Sequence, residues 1–166
     1  VFNPTLAVSF WEPIRKNSVN TLWLVPSIMS ILLELDRSNK GKIYCKKNMR
    51  LTLCGTAPLP SPIKNAFEKN YGIRIFENYG LSETLFISTV SQKNHTDNPG
   101  LGQLLSDIKI KIIDKQGKNI SDNIEGEIVV KTPFLTKLFS NKNNLNELSQ
   151  GWFQTGDIGK IIKQNL

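Results

Sequence analysis

The chain has 166 residues, 39% of them hydrophobic and 21% charged, with 21 Lys and Arg against 14 Asp and Glu for a formal charge of +7. That is one domain of ordinary size or pieces of two, and it is too apolar and too weakly charged for a disordered tail. The longest apolar runs, 22–25 and 28–33, are interrupted by Pro26, Ser27 and Ser30, far short of the roughly 20 residues of a membrane span.

Residues 11–20 read as the end of a helix and its exit. Thr21-Leu22-Trp23-Leu24-Val25 is a continuous apolar run stopped by Pro26, which predicts a strand buried on both faces, as in a parallel sheet. Ser27 then caps a helix to Leu35, with Ile28, Ile31, Leu32 and Leu35 on one face. The basic cluster Lys40, Lys42, Lys46, Lys47 and Arg50, around Gly41 and Asn48, predicts an exposed, solvated loop. Leu51-Thr52-Leu53-Cys54 is a second buried strand. Ser61 and Pro62 open a helix to about Asn70, with Tyr71-Gly72 as its stop. Ile73-Arg74-Ile75-Phe76 is a third strand. Strand–helix–strand–helix–strand is the pattern of a parallel α/β sheet.

The pattern changes after about Val90. A polar loop covers 91–102, and the alternation in Ile108-Lys109-Ile110-Lys111-Ile112-Ile113 predicts a half-exposed strand. A turn at 115–119, a strand at 125–131, an asparagine-rich loop at 141–146 and a strand at 156–162 follow. The expected organisation is therefore a parallel-sheet α/β subdomain over 1–92 and a mainly antiparallel, distorted barrel-like β subdomain over 93–166, both partial. Val1-Phe2-Asn3-Pro4 shows no secretory signal. Cys45 and Cys54 are too few for a disulfide scaffold, so a reduced, cytoplasmic setting is expected. No Cys/His cluster can hold zinc, and His95, in a polar loop, reads as solvated.

Three segments carry chemistry. In Glu77-Asn78-Tyr79-Gly80-Leu81-Ser82-Glu83-Thr84 a ring can stack on a base and a bare glycine admits a ligand to the backbone. The hydroxyl can bond a phosphate oxygen, and the carboxylate can hold magnesium. The plain alternative is a strand-to-helix turn with Ser82 as N-cap. In Gly55-Thr56-Ala57-Pro58-Leu59 small residues at a strand end let a flat ring lie against the backbone; alone, it is an ordinary tight turn. In Gly151-Trp152-Phe153-Gln154-Thr155-Gly156-Asp157 the carboxylate suits a ribose diol, or closes a turn on its own backbone. Val25-Pro26-Ser27, Gly55-Thr56-Ala57 and Tyr79-Gly80-Leu81 all fall at carboxyl ends of expected strands, where α/β sheets bind ligands.

In this order and spacing the three segments closely resemble the adenylate-forming superfamily of acyl-CoA synthetases and related ligases. Val25-Pro26-Ser27 and Gly126-Glu127-Ile128-Val129-Val130 also match stretches of that family. The resemblance implies that Gly55, Thr56 and Ala57 wall the adenine slot, that Tyr79 stacks on adenine and that Asn78 and Glu77 lie near its amino group. It implies that Ser82, where the family usually has Thr, bonds the α-phosphate. Glu83 would hold magnesium and Asp157 the ribose hydroxyls. Val25, Pro26, Ala57, Gly80 and Leu81 would border the pocket for a small-molecule carboxylic acid. The implied reaction joins an acid and ATP to an acyl-adenylate and pyrophosphate, then passes the acyl group to CoA or a carrier-protein phosphopantetheine thiol. Leu81-Ser82-Glu83 leans toward fatty or aryl acids.

The family's Ser/Thr/Gly-rich phosphate loop and its adenylation lysine are not in these 166 residues, and Thr136-Lys137-Leu138-Phe139 stands where the family often has Gly-Tyr. The expectation is an internal fragment of a larger ligase, inactive alone, whose partners include the remaining portions of its own parent chain. The alternative is a catalytically dead module that retains an adenine-nucleotide slot. Nucleic-acid binding is not expected, because no aromatic-interleaved basic stripe is present.

Overall fold

In a computed structural model, which describes residues 9–91, 100–121, 123–136, 147–148 and 151–162, the apolar run after Asn20 forms strand β1 (Thr21–Leu24), preceded by helix α1 (Trp11–Lys16). By compactness the chain divides into two units, Val1–Glu77 and Asn78–Leu166. The boundary falls inside strand β3 (Phe76–Leu81), so it does not coincide with the change in sequence pattern at 92/93. His95, Lys137, Leu138, Phe139 and the 141–146 stretch lie outside the described residues.

The first unit is the expected parallel α/β arrangement, except that the third strand, expected over Ile73–Phe76, begins only at Phe76. β1 pairs in parallel with β2 (Leu51–Cys54) along its whole length, and β2 pairs in parallel with Phe76 and Glu77 of β3. Helices α2 (Pro26–Leu35), α3 (Lys40–Asn48) and α4 (Ser61–Tyr71) complete it. Trp11, Met29, Leu32, Phe67, Tyr71 and Ile75 form the centre of its buried core. Neither expected serine cap forms. Val25 and Pro60 occupy the N-cap positions, and Pro26 and Pro62 sit in the first turn, where a missing N–H costs nothing. Gly72 ends α4 at φ 65°, as its sequence position predicted.

The basic stretch expected as a loop is helix α3. Its inward stripe is built from small or amphipathic residues, the buried Gly41 and Cys45 and the half-buried Tyr44, which carry little periodic hydrophobicity. Gly41 is the key: a Cβ there would lie 2.2 Å from the Trp11 indole. Tyr44 donates its hydroxyl to the Val19 carbonyl at 3.0 Å. Beside this contact Asp36 accepts from Trp11 Nε1 at 2.8 Å, from the Tyr71 hydroxyl at 3.0 Å and from the Ser38 backbone N–H at 2.9 Å, tying α1, α4 and the end of α2 together.

Both cysteines are buried, as read for Cys54 from its strand. Burial, then the nearby Asp36 charge, pushes the Cys45 thiol from its ordinary 9.0 up to about 12. Burial and Glu77 push Cys54 up to about 11, against an opposing effect of Lys64. A folded-state pKa above the unfolded value contributes stability that is present below pH 9 and lost as pH rises toward 11 to 12. Denaturation midpoints are therefore expected to fall as pH rises above 9. At pH 8 a thiol-specific colorimetric reagent should label both cysteines only after unfolding.

In the second unit Asn78–Leu81 of β3 pair antiparallel with β4 (Leu85–Thr89), and β4 with β5 (Gln103–Leu104). The segment expected as a loop or a strand-to-helix turn is thus a hairpin, closed by a bond from Thr84 N–H to the Leu81 carbonyl at 3.2 Å. A second sheet has the order β6-β7-β9-β8: β6 (Lys109–Ile113), β7 (Gly126–Lys131), β9 (Trp152–Gly159) and β8 (Glu147–Leu148), all antiparallel. The last strand starts four residues earlier than expected, because Trp152–Gln154 already pair with their neighbours. Ile87, Ile108, Val130 and Phe153 are the buried core, with Tyr79 and Leu81 packed against it. The α/β class and the change to antiparallel sheet agree with the sequence. The barrel-like closure does not: among the described residues the second sheet is open.

Candidate functional site

The site residues divide between the two units. In the first, the parallel register brings the carboxyl ends of β1 and β2 to one edge, with Val25 and Pro26 after β1 and Gly55, Thr56 and Ala57 after β2. Gly55 N–H reaches back to the Leu24 carbonyl at 3.4 Å. Gly55 is buried, whereas Thr56 and Ala57 are exposed. Thr56, not the glycine, takes the left-handed conformation, at φ 73°. A β-branched residue there is a true outlier, and such strain collects at ligand-binding turns. Thr56→Gly is expected to stabilise the chain by about 1 kcal/mol, read as a rise in melting temperature. Glu77 ends the parallel part of β3 at the same edge and is paired with Lys64 of α4 at 2.8 Å.

In the second unit two irregular strands present the remaining residues. On β3, Tyr79 pairs with Ser88 and Gly80 with Phe86, so Ile87 of β4 is an extra residue. On β9, Gln154 pairs with Val129 and Ile158 with Glu127, so Thr155, Gly156 and Asp157 stand opposite Ile128 alone. Bulges of this kind re-aim side chains. They bring Tyr79 and Asp157, 78 residues apart in sequence, into a hydrogen bond: the Tyr79 hydroxyl donates to Asp157 Oδ2 at 2.6 Å.

Asp157 is exposed, and an ionised carboxylate accepts about four hydrogen bonds, so it has capacity left for a diol. Burial, and then the bond to Asp157, raises the Tyr79 phenol above its ordinary 10.0. At neutral pH the ring therefore remains a neutral donor. Asn78 is 8% exposed and its Oδ1 has no partner among the described residues. A buried, unpaired acceptor costs about 1–3 kcal/mol, which an incoming N–H donor would relieve. Gly80 and Leu81 complete the strand, and Ser82 and Glu83 lie in the turn after it, Ser82 exposed and Glu83 half-buried.

Two supporting residues carried no role in the sequence. Thr155 donates its hydroxyl to the Ile128 carbonyl at 2.8 Å and accepts from Asp157 N–H at 3.1 Å. Glu127 accepts from Gln154 Nε2 and from Gly156 N–H, both at 3.2 Å. Together they fix the bulge that displays Asp157. The Thr-Gly-Asp spacing was visible, but the extra residues of the bulge appear only once β7 is known to be its partner.

Among the described residues no group of three or more His, Cys, Asp or Glu could cage a metal ion. Glu83 alone is consistent with magnesium, which usually binds one or two carboxylates plus substrate phosphates and water. No helix among the described residues is long and apolar enough to cross a membrane.

Comparison with known proteins identifies the family. The model of the AMP-binding enzyme family matches residues 2–139. A 2-succinylbenzoate–CoA ligase of Bacillus subtilis is 31% identical over 157 residues, covering 92% of this chain and 31% of the relative. The O-succinylbenzoate coenzyme A synthetase of Bacillus subtilis, solved with AMP, superposes with a TM-score of 0.77 at 26% identity, over 99% of this chain and 33% of that one. Its complex with ATP and a magnesium ion gives 0.78 at 27% identity, over 99% and 33%. The chain thus spans about a third of the length of the relatives it matches. With the model covering most of its length, the chain belongs to the AMP-binding enzyme family.

Proposed function

We propose that this chain supplies the adenosine-binding part of an ATP-dependent, carboxylate-activating ligase. The observation that carries the reading is the Tyr79–Asp157 pair, Asp157 on the bulge of β9 and Tyr79 on β3 opposite the bulge of β4. Tyr79 offers a ring to stack on adenine and Asp157 an oriented carboxylate for the ribose diol. Asn78 Oδ1, buried without a partner, suits the adenine amino group. The family resemblance assigns Gly55, Thr56 and Ala57 to the adenine wall through their backbone. Val25, Pro26 and Leu81 border the pocket for the carboxylic acid.

In the proposed reaction a carboxylate oxygen of the acid attacks the α-phosphorus of ATP and pyrophosphate leaves. Ser82 donates its hydroxyl to an α-phosphate oxygen as charge builds there. Glu83 would hold a magnesium ion, which would supply neutralisation of phosphate charge. The acyl group of the adenylate then passes to the thiol of CoA or of a carrier phosphopantetheine, releasing AMP. The phosphate-gripping loop and adenylation lysine of the family resemblance are not among these 166 residues, so the chain alone binds nucleotide without turning it over.

Calorimetric titration with AMP tests the reading. Binding is expected, with Asp157→Ala weakening it about 10- to 100-fold, the worth of hydrogen bonds to a charged group. Tyr79→Phe keeps the ring but frees the carboxylate, and should weaken binding less. Unchanged AMP affinity in Asp157→Ala would contradict the assignment. Carboxylate-dependent ATP–pyrophosphate exchange should be at background in this chain and robust in a longer protein containing it. A longer protein that binds AMP but exchanges with no acid would instead be a binding module.

A further inference from the structure

Charge is unevenly distributed between the units. Val1–Glu77 holds eleven Lys and Arg against five Asp and Glu, which is +6 of the chain's +7. Helix α3 alone carries Lys40, Lys42, Lys46 and Lys47 and no acidic residue, and Arg50 follows it. The contact of Gly41 with Trp11 and the bond from Tyr44 to Val19 set the roll of the helix about its axis. At about 100° per residue, that roll puts Lys40, Lys42, Ile43, Lys46 and Lys47 on one contiguous outer arc, and all five are exposed.

Little on the protein offsets this charge. Lys40 meets Glu12 at 3.7 Å with both side chains more than half exposed, a pairing of small value. Among the described residues Lys42, Lys46 and Lys47 make no ion pair. In their midst Ile43 is 58% exposed. An aliphatic residue ringed by lysines is the composition of a membrane-surface helix face, where flexible ammonium stems reach headgroups and the apolar side chain enters the interface. A nucleic-acid surface would offer aromatic rings for stacking or free amides for base edges. Here the arc carries no aromatic ring, and the neighbouring Asn48 amide donates to its own helix at the Tyr44 carbonyl, 3.1 Å away.

We propose that the outer face of α3, with Lys40, Lys42, Ile43, Lys46 and Lys47 and the neighbouring Arg50, docks on anionic phospholipid bilayers. This is a surface association, and it does not depend on the nucleotide-site reading. Near an anionic surface each basic residue adds about 1 kcal/mol, roughly a fivefold change in partitioning.

The test is co-sedimentation of the whole chain with vesicles of phosphatidylcholine alone or with 30% phosphatidylserine. Binding is expected only to the anionic vesicles and should collapse at 0.5 M salt. The double reversal Lys42→Glu/Lys46→Glu, at exposed positions that leave the fold intact by circular dichroism, should weaken partitioning at least about 30-fold. Lys115→Glu/Lys118→Glu, with the same net charge change in the second unit, should leave it within about threefold. Ile43→Asn should weaken binding while preserving its salt dependence. Failure of the wild-type chain to bind, equal binding to neutral vesicles, or equal losses from the two double reversals would overturn the proposal. So would tighter binding to an RNA oligonucleotide that the Lys42→Glu/Lys46→Glu change abolishes, which would assign the face to nucleic acid.

Discussion

Replacing Lys64 by methionine is expected to destabilise the chain by about 1–3 kcal/mol, the cost of leaving a part-buried polar group without its partner. Lys64 Nζ lies 2.8 Å from Glu77 Oε1, and the two side chains are 13% and 16% exposed. With Met at 64 the Glu77 carboxylate keeps its burial and loses its counter-charge. The double variant Lys64→Met/Glu77→Leu removes both charges and should recover most of the loss, since replacing a buried pair by apolar groups is often neutral. Urea midpoints of the wild type, both single variants and the double variant form the required cycle. A single-variant cost below about 1 kcal/mol would mean that water reaches the carboxylate, as for an ordinary surface pair.

Gly80→Ala is expected to cost about 2–3 kcal/mol, typical of forcing an extra carbon into a filled space, or roughly 4–12 °C in melting temperature. A Cβ at position 80 would lie 2.2 Å from the Leu85 carbonyl oxygen and 2.9 Å from the Phe86 Cα. These are backbone atoms of β4, so no rotamer change relieves the clash and the hairpin itself must open. Because Tyr79 lies next to the displaced residue, AMP binding should weaken along with stability. A variant that melts like the wild type would show that the hairpin does not approach this closely. The glycine was read as letting a ligand near the backbone; its immediate role is to let β4 near β3.

The parallel strands were legible because runs such as Thr21–Leu24 and Leu51–Cys54 are continuous and apolar; the burial expected on both faces of β1 does not hold, since Thr21 and Trp23 are exposed and only Leu24 is buried. Helix α3 was not legible. Its packing stripe is Gly41, Tyr44 and Cys45, and the close contact of Gly41 with Trp11 is a fact about a residue thirty positions away. The hairpin after Glu77 was missed for a similar reason. Asn78 and Gly80 look like loop residues until the partner strand β4 pairs with them, and Ser82 remains in the turn.

By itself the sequence determined the chemistry and its order: small residues after β2, an aromatic–hydroxyl–carboxylate run after Glu77, and an aspartate after Gly156. These depend on residue type and spacing, which the chain carries directly. Tertiary structure decided which of them meet. The bulge opposite Ile128 and the extra Ile87 in β4 turn Asp157 and Tyr79 toward each other. A bulge is a mismatch between two paired strands, so it exists only once both strands are in register.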